Sequence, residues 1–274
     1  MVKIINHRFE KSPDITQLDC PKNTKVFERG QPDTIIIHYT AGRDGESSAK
    51  YLVKDNVKAS AHMVLDRSGH IYQLVPFNTV SWHAGKSSYN GRFGFNQFSI
   101  GIEIDNAGIL EPVGDKFKSW FGKTYAAEEV IKAKHRNESI ERFWHTYTEE
   151  QINLTQEICE LLMETYPTIT AILGHEEISP DRKKDPGPAF PLDKLRNLFM
   201  ESREEETPIA VEGNDGRVNV DLLNIRELPS IQSELAGAPL EKDTKVTILT
   251  EHDGWYKIAT KKEGWVASKY VSFD

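Results

Sequence analysis

The 274-residue chain reads as an α/β fold, a mixed central β-sheet flanked by helices, followed by a small all-β barrel. Three observations predict this. Short apolar, β-branched runs alternate with helical patterns up to about residue 200, as expected of a sheet covered by helices. The stretch SREEETPIAVEGNDGR, 202–217, is acidic and then small and polar, which is the composition of a linker. Beyond it come only short strand patterns with turn residues between them and no helical period, which suits a small barrel. The expected division is a first domain over 1–201, a linker over 202–217 and a β domain over 218–274.

The elements follow in order. TIIIHY, 34–39, is short, apolar and β-branched, and reads as a buried strand. SSAKYLVKDN reads as a short helix with Ser47 or Ser48 as its N-cap. ASAHMVLDRSGHIYQLV reads as two strands about a turn at Arg67, Ser68 and Gly69. FSIGIEIDNAG is a further strand, with Ile100, Ile102 and Ile104 on one face and Gly101, Glu103 and Asp105 on the other. TEEQINLTQEICELLMETYP has the pattern of a long amphipathic helix, with Thr148 as N-cap, Gln151 completing a capping box and Pro167 after its end. AILGH is one more short strand, and PLDKLRNLFMES is the last helix.

Composition excludes several classes. Hydrophobic residues make up 38% and charged residues 28%, as in globular proteins. The net charge is −8 with no long basic run, which argues against nucleic acid as a partner, because phosphate neutralisation needs a clustered positive face. No apolar stretch reaches the roughly 20 residues that span a bilayer, so no membrane span is expected. The opening MVKIINHRFEKSPDITQLDC lacks an apolar core, so no signal peptide is expected, and the compartment stays open. Cys20 and Cys159 lie outside any CxxC pair and read as structural. No protein partner is implied.

The chemistry concentrates in ILGHEEISPDRKKDPGPAF, 172–190. His38 and His175 each end a strand, and Asp185 sits on the loop after the second. Two imidazoles and a carboxylate are ordinary zinc ligands, and three protein ligands leave a fourth position open for water, the catalytic arrangement. Proline and glycine in KKDPGPAF would stiffen the loop that carries Asp185. Against this, a single histidine is more often a core or surface residue, and the separation of 38 from 175 has no local ligand spacing. Glu103 is either a solvent-facing carboxylate or, if its face forms the cleft, a general base. Lys183 is either a solvated loop charge or a cation that stabilises an oxyanion.

Five stretches then occur in order: IIIHYTAG, SAHMVLDRSGHIYQLVP, SWHAGKSSYNGR, NQFSIGIEIDN and GHEEISPDRKKDPGPAF. Together, over about residues 30–200, they resemble the zinc-dependent N-acetylmuramoyl-L-alanine amidases, the class that includes peptidoglycan recognition proteins. The resemblance implies Zn2+ held by His38, His175 and Asp185, with Glu103 and Lys183 as the catalytic pair. It implies that Trp82 and His83, in WHAG, line the substrate cleft, whereas His62 matches a histidine near the site whose role stays open. The implied reaction is hydrolysis of the amide between the lactyl group of N-acetylmuramic acid and L-alanine, in peptidoglycan or muropeptides. Two alternatives remain: a protein that binds muropeptides without cutting them, and a cytosolic amidase that recycles soluble anhydro-muropeptides. Loss of a metal ligand marks the non-cutting branch, and all three are present here.

One departure stands out. The segment 107–147 is longer than in the shortest family members, polar with scattered aromatics, and reads as a surface insertion at the cleft rim. The tail resembles a bacterial SH3-like domain, through VNVDLLNIRELPS and DGWYKIAT…EGWVASKYV. Trp255, Tyr256, Trp265 and Tyr270 there could line a groove or fill the core.

Overall fold

The six residues TIIIHY form the strand Thr34–Tyr39, and the first five are buried. A continuous apolar run suits a strand covered on both faces by other layers. It lies inside a six-stranded sheet whose order is Ala171–Gly174, Thr34–Tyr39, Ser99–Ile104, Met63–Leu65, Ile71–Gln73 and Ile15–Gln17. Every neighbouring pair is parallel except Met63–Leu65 with Ile71–Gln73, so the sheet is mixed. That antiparallel pair is the expected hairpin. Its turn is closed by Asp66, whose Oδ1 accepts from the Ser68 backbone N–H at 2.7 Å, and by Gly69 at φ 84°. The structure, a computed structural model, describes residues 2–205, 215–226, 235–252, 255–260 and 263–273. Two compact units emerge, Met1–Asn197 and Leu198–Asp274.

The helices confirm one cap and correct another. Glu149–Thr165 starts at Thr148, whose side chain accepts from Gln151 N while Gln151 Oε1 accepts from Thr148 N, the reciprocal pair expected. The first helix, Gly45–Leu52, is capped by Asp44 rather than by Ser47 or Ser48. Asp44 adopts extended backbone and its carboxylate accepts from Ser47 N at 2.7 Å, whereas both serines already lie inside the helix. Cys20 and Cys159 are both buried and free.

The insertion, expected as a surface segment at the cleft rim, has a regular structure of its own. It folds into a five-stranded antiparallel sheet, ordered Thr124–Tyr125, Lys116–Lys118, Ile109–Val113, Glu141–His145 and Val130–Lys134. Ala107, Leu110 and Tyr125 form its small core, with Phe117, Phe121, Val130 and Phe143 packed against them. Trp144, one of the scattered aromatics, is fully buried and donates its indole N–H to the Ala133 carbonyl at 3.1 Å.

The linker boundaries also shift. The helix Leu192–Glu205 runs past residue 201, and Asp215–Val218 is already a strand, while 206–214 lies outside the described residues. The tail forms a five-stranded antiparallel sheet ordered Glu263–Ala267, Trp255–Ala259, Lys245–His252, Asp215–Val218 and Val271–Phe273. Val218, Val246, Ile248, Ile258 and Val266 are core residues, and Tyr256 joins them. Tyr270 is exposed and Trp255 half-buried, whereas the Trp265 side chain lies outside what is described.

Candidate metal centre

Three neighbouring parallel strands deliver the chemistry at their carboxyl ends, the edge where open α/β sheets place ligands. His38 is the fifth residue of Thr34–Tyr39, and Glu103 stands beside it in register on Ser99–Ile104. On the other side, Ala171–Gly174 runs straight into His175, the first residue of the short helix His175–Ile178. The following loop folds back so that the Glu176 N–H donates to the Asp185 carbonyl at 2.8 Å. Gly174 permits this return, because a Cβ there would lie 2.9 Å from Pro186 Cδ.

The result is a buried triad. Asp185 Oδ2 lies 2.9 Å from His38 Nδ1 and 2.8 Å from His175 Nδ1, and the two ring nitrogens are 2.8 Å apart. One ligand atom from each of the three residues lies within 4.8 Å of the others. His175 Nε2 donates to the Ala84 carbonyl at 3.0 Å, which leaves its Nδ1 with a lone pair toward the cluster. Arg182 holds the same carbonyl at 2.9 Å. Burial, then the adjacent His175 ring, pushes the His38 pKa down to about 4.

This donor set fits a cation. Lone pairs converge in a buried pocket, and such an arrangement is repulsive unless a positive charge sits among them. Glu103 points the same way. Its Oε2 is shielded from solvent and has no hydrogen-bond partner among the described residues, an expensive state for a carboxylate oxygen. Burial, reinforced by the charge of Asp185 and opposed by Lys183, pushes its pKa up to about 8. Lys183 is half-buried, and its charge acts on both Glu103 and His38.

The WHAG residues separate. Trp82 is 39% exposed, with Lys22 Nζ 6.0 Å from its ring centroid. His83, expected in the cleft wall, is instead buried beneath the triad, with its Nδ1 2.9 Å from His38 Nε2. Its ring occupies space that Gly101 leaves free, since a Cβ at Gly101 would meet His83 Cγ at 2.4 Å. His62 is also buried, accepting from the Gly101 backbone N–H on Nδ1 and facing the Thr79 carbonyl with Nε2. An open cavity of about 400 Å³ adjoins the strand end, between Tyr39, Ala41, Ile109, Lys118 and Trp120. The Trp120 indole donates to the Ala41 carbonyl at 2.8 Å, so the insertion forms this wall.

Two residues outside the sequence reading hold the Asp185 loop. Glu176 Oε2 accepts from the Gly187 backbone N–H at 3.1 Å and pairs with His135 Nε2 at 2.6 Å. Tyr147 donates its hydroxyl to the Pro186 carbonyl at 2.7 Å. The His135–Glu176 and Tyr147–Pro186 contacts span 41 and 39 positions, so no local pattern announced them.

Residues 28–188 match the family described as N-acetylmuramoyl-L-alanine amidase, over more than half of the chain. The chain belongs to that family. Residues 221–272 match the bacterial SH3 domain. Across 152 residues this amidase-family chain is 33% identical to the 1,6-anhydro-N-acetylmuramyl-L-alanine amidase AmpD of Salmonella typhimurium, covering 55% of this chain and 63% of that one. It is 29% identical over 195 residues to the N-acetylmuramoyl-L-alanine amidase AmiD of Escherichia coli, covering 64% and 60%. The chain thus spans less than two thirds of either relative's length. The crystal structure of a selenomethionine AmpD derivative superposes with a TM-score of 0.49 at 26% identity, covering 69% of this chain and 96% of that one. Family members of this type are metal-dependent, in keeping with the triad of His38, His175 and Asp185.

Proposed function

We propose that this chain is a zinc-dependent amidase that hydrolyses the bond between the lactyl group of N-acetylmuramic acid and L-alanine. The observation that carries the reading is the buried triad of His38, His175 and Asp185, with a Glu103 oxygen beside it that has no hydrogen-bond partner among the described residues. Two imidazoles and one carboxylate are a zinc donor set that leaves a coordination position free for catalysis. A zinc ion held there would supply Lewis acidity toward a carbonyl and toward water.

The chain's own residues do the rest. Glu103, shielded from solvent with its Oε2 unpartnered among the described residues, takes the proton of the attacking water. The same proton can then pass to the leaving α-amine of L-alanine. Lys183 presents a fixed positive charge to the negative oxygen of the tetrahedral intermediate, a contact that matters most once that charge has formed. Burial of the triad excludes competing water and strengthens each of these interactions.

We assign residues 1–201 to catalysis and the SH3-like tail to wall binding, which favours polymeric peptidoglycan as substrate. A second reading, a recycling enzyme for soluble anhydro-muropeptides, is supported by the likeness to AmpD, whose name specifies the 1,6-anhydro form. The test is mass spectrometry of products from intact sacculi and from purified anhydro-muropeptides, with zinc supplied and after chelation. Zinc-dependent release of peptides beginning with free L-alanine supports the amidase, and the preferred substrate decides between the two readings. Peptides cut at internal bonds would reject both.

A further inference from the structure

We propose that His83 is a positioning residue of the metal centre, fixing the proton of His38 on Nε2 and so aiming the His38 Nδ1 lone pair at the metal. The proposal rests on the metal-centre reading above and gives a buried histidine a task that its motif did not suggest.

The assignment follows from counting donors. His83 Nε2 lies 3.2 Å from the Ser99 carbonyl oxygen, which can only accept. It also lies 3.2 Å from Ser99 Oγ, whose single proton is given to the Phe95 carbonyl at 2.6 Å. Both partners are acceptors, so the Nε2 of His83 carries hydrogen. His83 is buried, and its polar contacts, His38 Nε2, the Ser99 carbonyl and Ser99 Oγ, include no carboxylate to pair a charged ring, so the ring is neutral and its Nδ1 bears a lone pair. That lone pair faces His38 Nε2 at 2.9 Å, and His38 Nε2 must therefore be the donor. A neutral His38 with hydrogen on Nε2 has its free lone pair on Nδ1, the atom 2.9 Å from Asp185 Oδ2.

The two ligand histidines are thus set in the same tautomer by different means. For His175 a backbone carbonyl, that of Ala84, receives the Nε2 proton. For His38 the acceptor is a side chain, and that makes the device testable by substitution. The geometry is tight: the His38 and His83 rings meet edge to face at 5.1 Å, and Gly101 has no Cβ where the His83 ring lies. Hydrogen bonds from a ligand's far nitrogen are known to hold ring orientation and raise ligand basicity, and their loss typically lowers metal affinity about 10- to 100-fold. The plainer alternative is a core histidine that merely satisfies its own hydrogen bonds.

Two measurements on the full chain separate these. Zinc affinity by competition with a chelator should fall about 10- to 100-fold in His83→Phe, which fills the space without an acceptor. His83→Asn should recover most of that loss, because its Oδ1 falls near the position of the imidazole Nδ1. Thermal melts of the metal-free proteins report whether each variant is folded. A folded His83→Phe chain that binds zinc as tightly as the parent overturns the proposal. The second measurement needs no variant: nitrogen-15 NMR of the histidine rings in the zinc-loaded chain should find hydrogen on Nε2 of both His38 and His83. Hydrogen on Nδ1 of His83 overturns the proposal even if His83→Phe does not fold. A parent chain that takes up no zinc removes the metal-centre reading and this proposal together, whereas equal affinities in parent and variant remove only the role of His83.

Discussion

Removing any one of His38, His175 or Asp185 leaves two donors where three converge, and two rarely hold a catalytic metal. Alanine at each position is therefore expected to abolish both stoichiometric zinc, measured by elemental analysis, and activity. Zinc retained by all three variants would contradict the triad. Glu103 behaves differently, because it touches the chemistry without belonging to the ligand set. Glu103→Gln should keep zinc while turnover falls by about 10² to 10⁴, the usual loss when a general base is removed. Lys183→Ala should likewise keep zinc and lower kcat more than it changes KM, since its charge is needed in the transition state. His38, His175 and Asp185, which the structure brings together, were singled out in the sequence by the resemblance of five motifs, since the separation of 38 from 175 has no local ligand spacing. The task of His83 was not, since its partners are 45 and 16 positions away and its tautomer is set only by the assembled network.

Elements differ in the same way. Thr34–Tyr39, the hairpin about Gly69 and the helix capped by Thr148 were readable because each is specified by its own residues: β-branched burial, turn chemistry, a capping box. The insertion sheet was not, because its strands are only two to five residues long and half polar, and its closing pair joins Ile109 to Trp144 across the whole segment. Its packing still makes a strong prediction. Trp144 is 1% exposed and lies over Gly187, whose added Cβ would meet the indole at 3.0 Å. Trp144→Ala should destabilise the first unit by about 3–5 kcal/mol in urea denaturation, as large buried aromatics do. A change below about 1 kcal/mol would contradict the insertion as part of the core. His62 provides a pH test. Burial pushes its pKa down to about 4, against about 6.5 in an unfolded chain. Below about 6.5 the unfolded chain takes up a proton that the folded chain refuses, so stability falls as pH drops toward 4. The pH slope in that window should be shallower in His62→Gln than in the parent, whatever the offset between them. Parallel slopes would contradict a buried neutral His62.

At the scale of the molecule, every residue assigned to chemistry lies in the unit Met1–Asn197, and the SH3-like match lies in the other. A chain ended after Glu205, beyond every residue assigned to chemistry, should keep zinc and cut soluble muropeptide within about threefold of the full chain, as expected of a largely independent domain. On insoluble sacculi it should lose more, because a tethered second binder raises the effective substrate concentration. Equal losses on both substrates would argue against a wall-binding tail. Among the described residues no helix is long and apolar enough to cross a membrane. The centre itself joins His38 to ligands 137 and 147 positions away, and its existence is the claim on which the rest depends. Anomalous diffraction at the zinc edge from crystals of the zinc-loaded chain tests it most directly. The account predicts one strong peak bonded to His38 Nδ1, His175 Nδ1 and Asp185 Oδ2, facing Glu103. No peak there, or a metal bound through the Nε2 of His38, would contradict it.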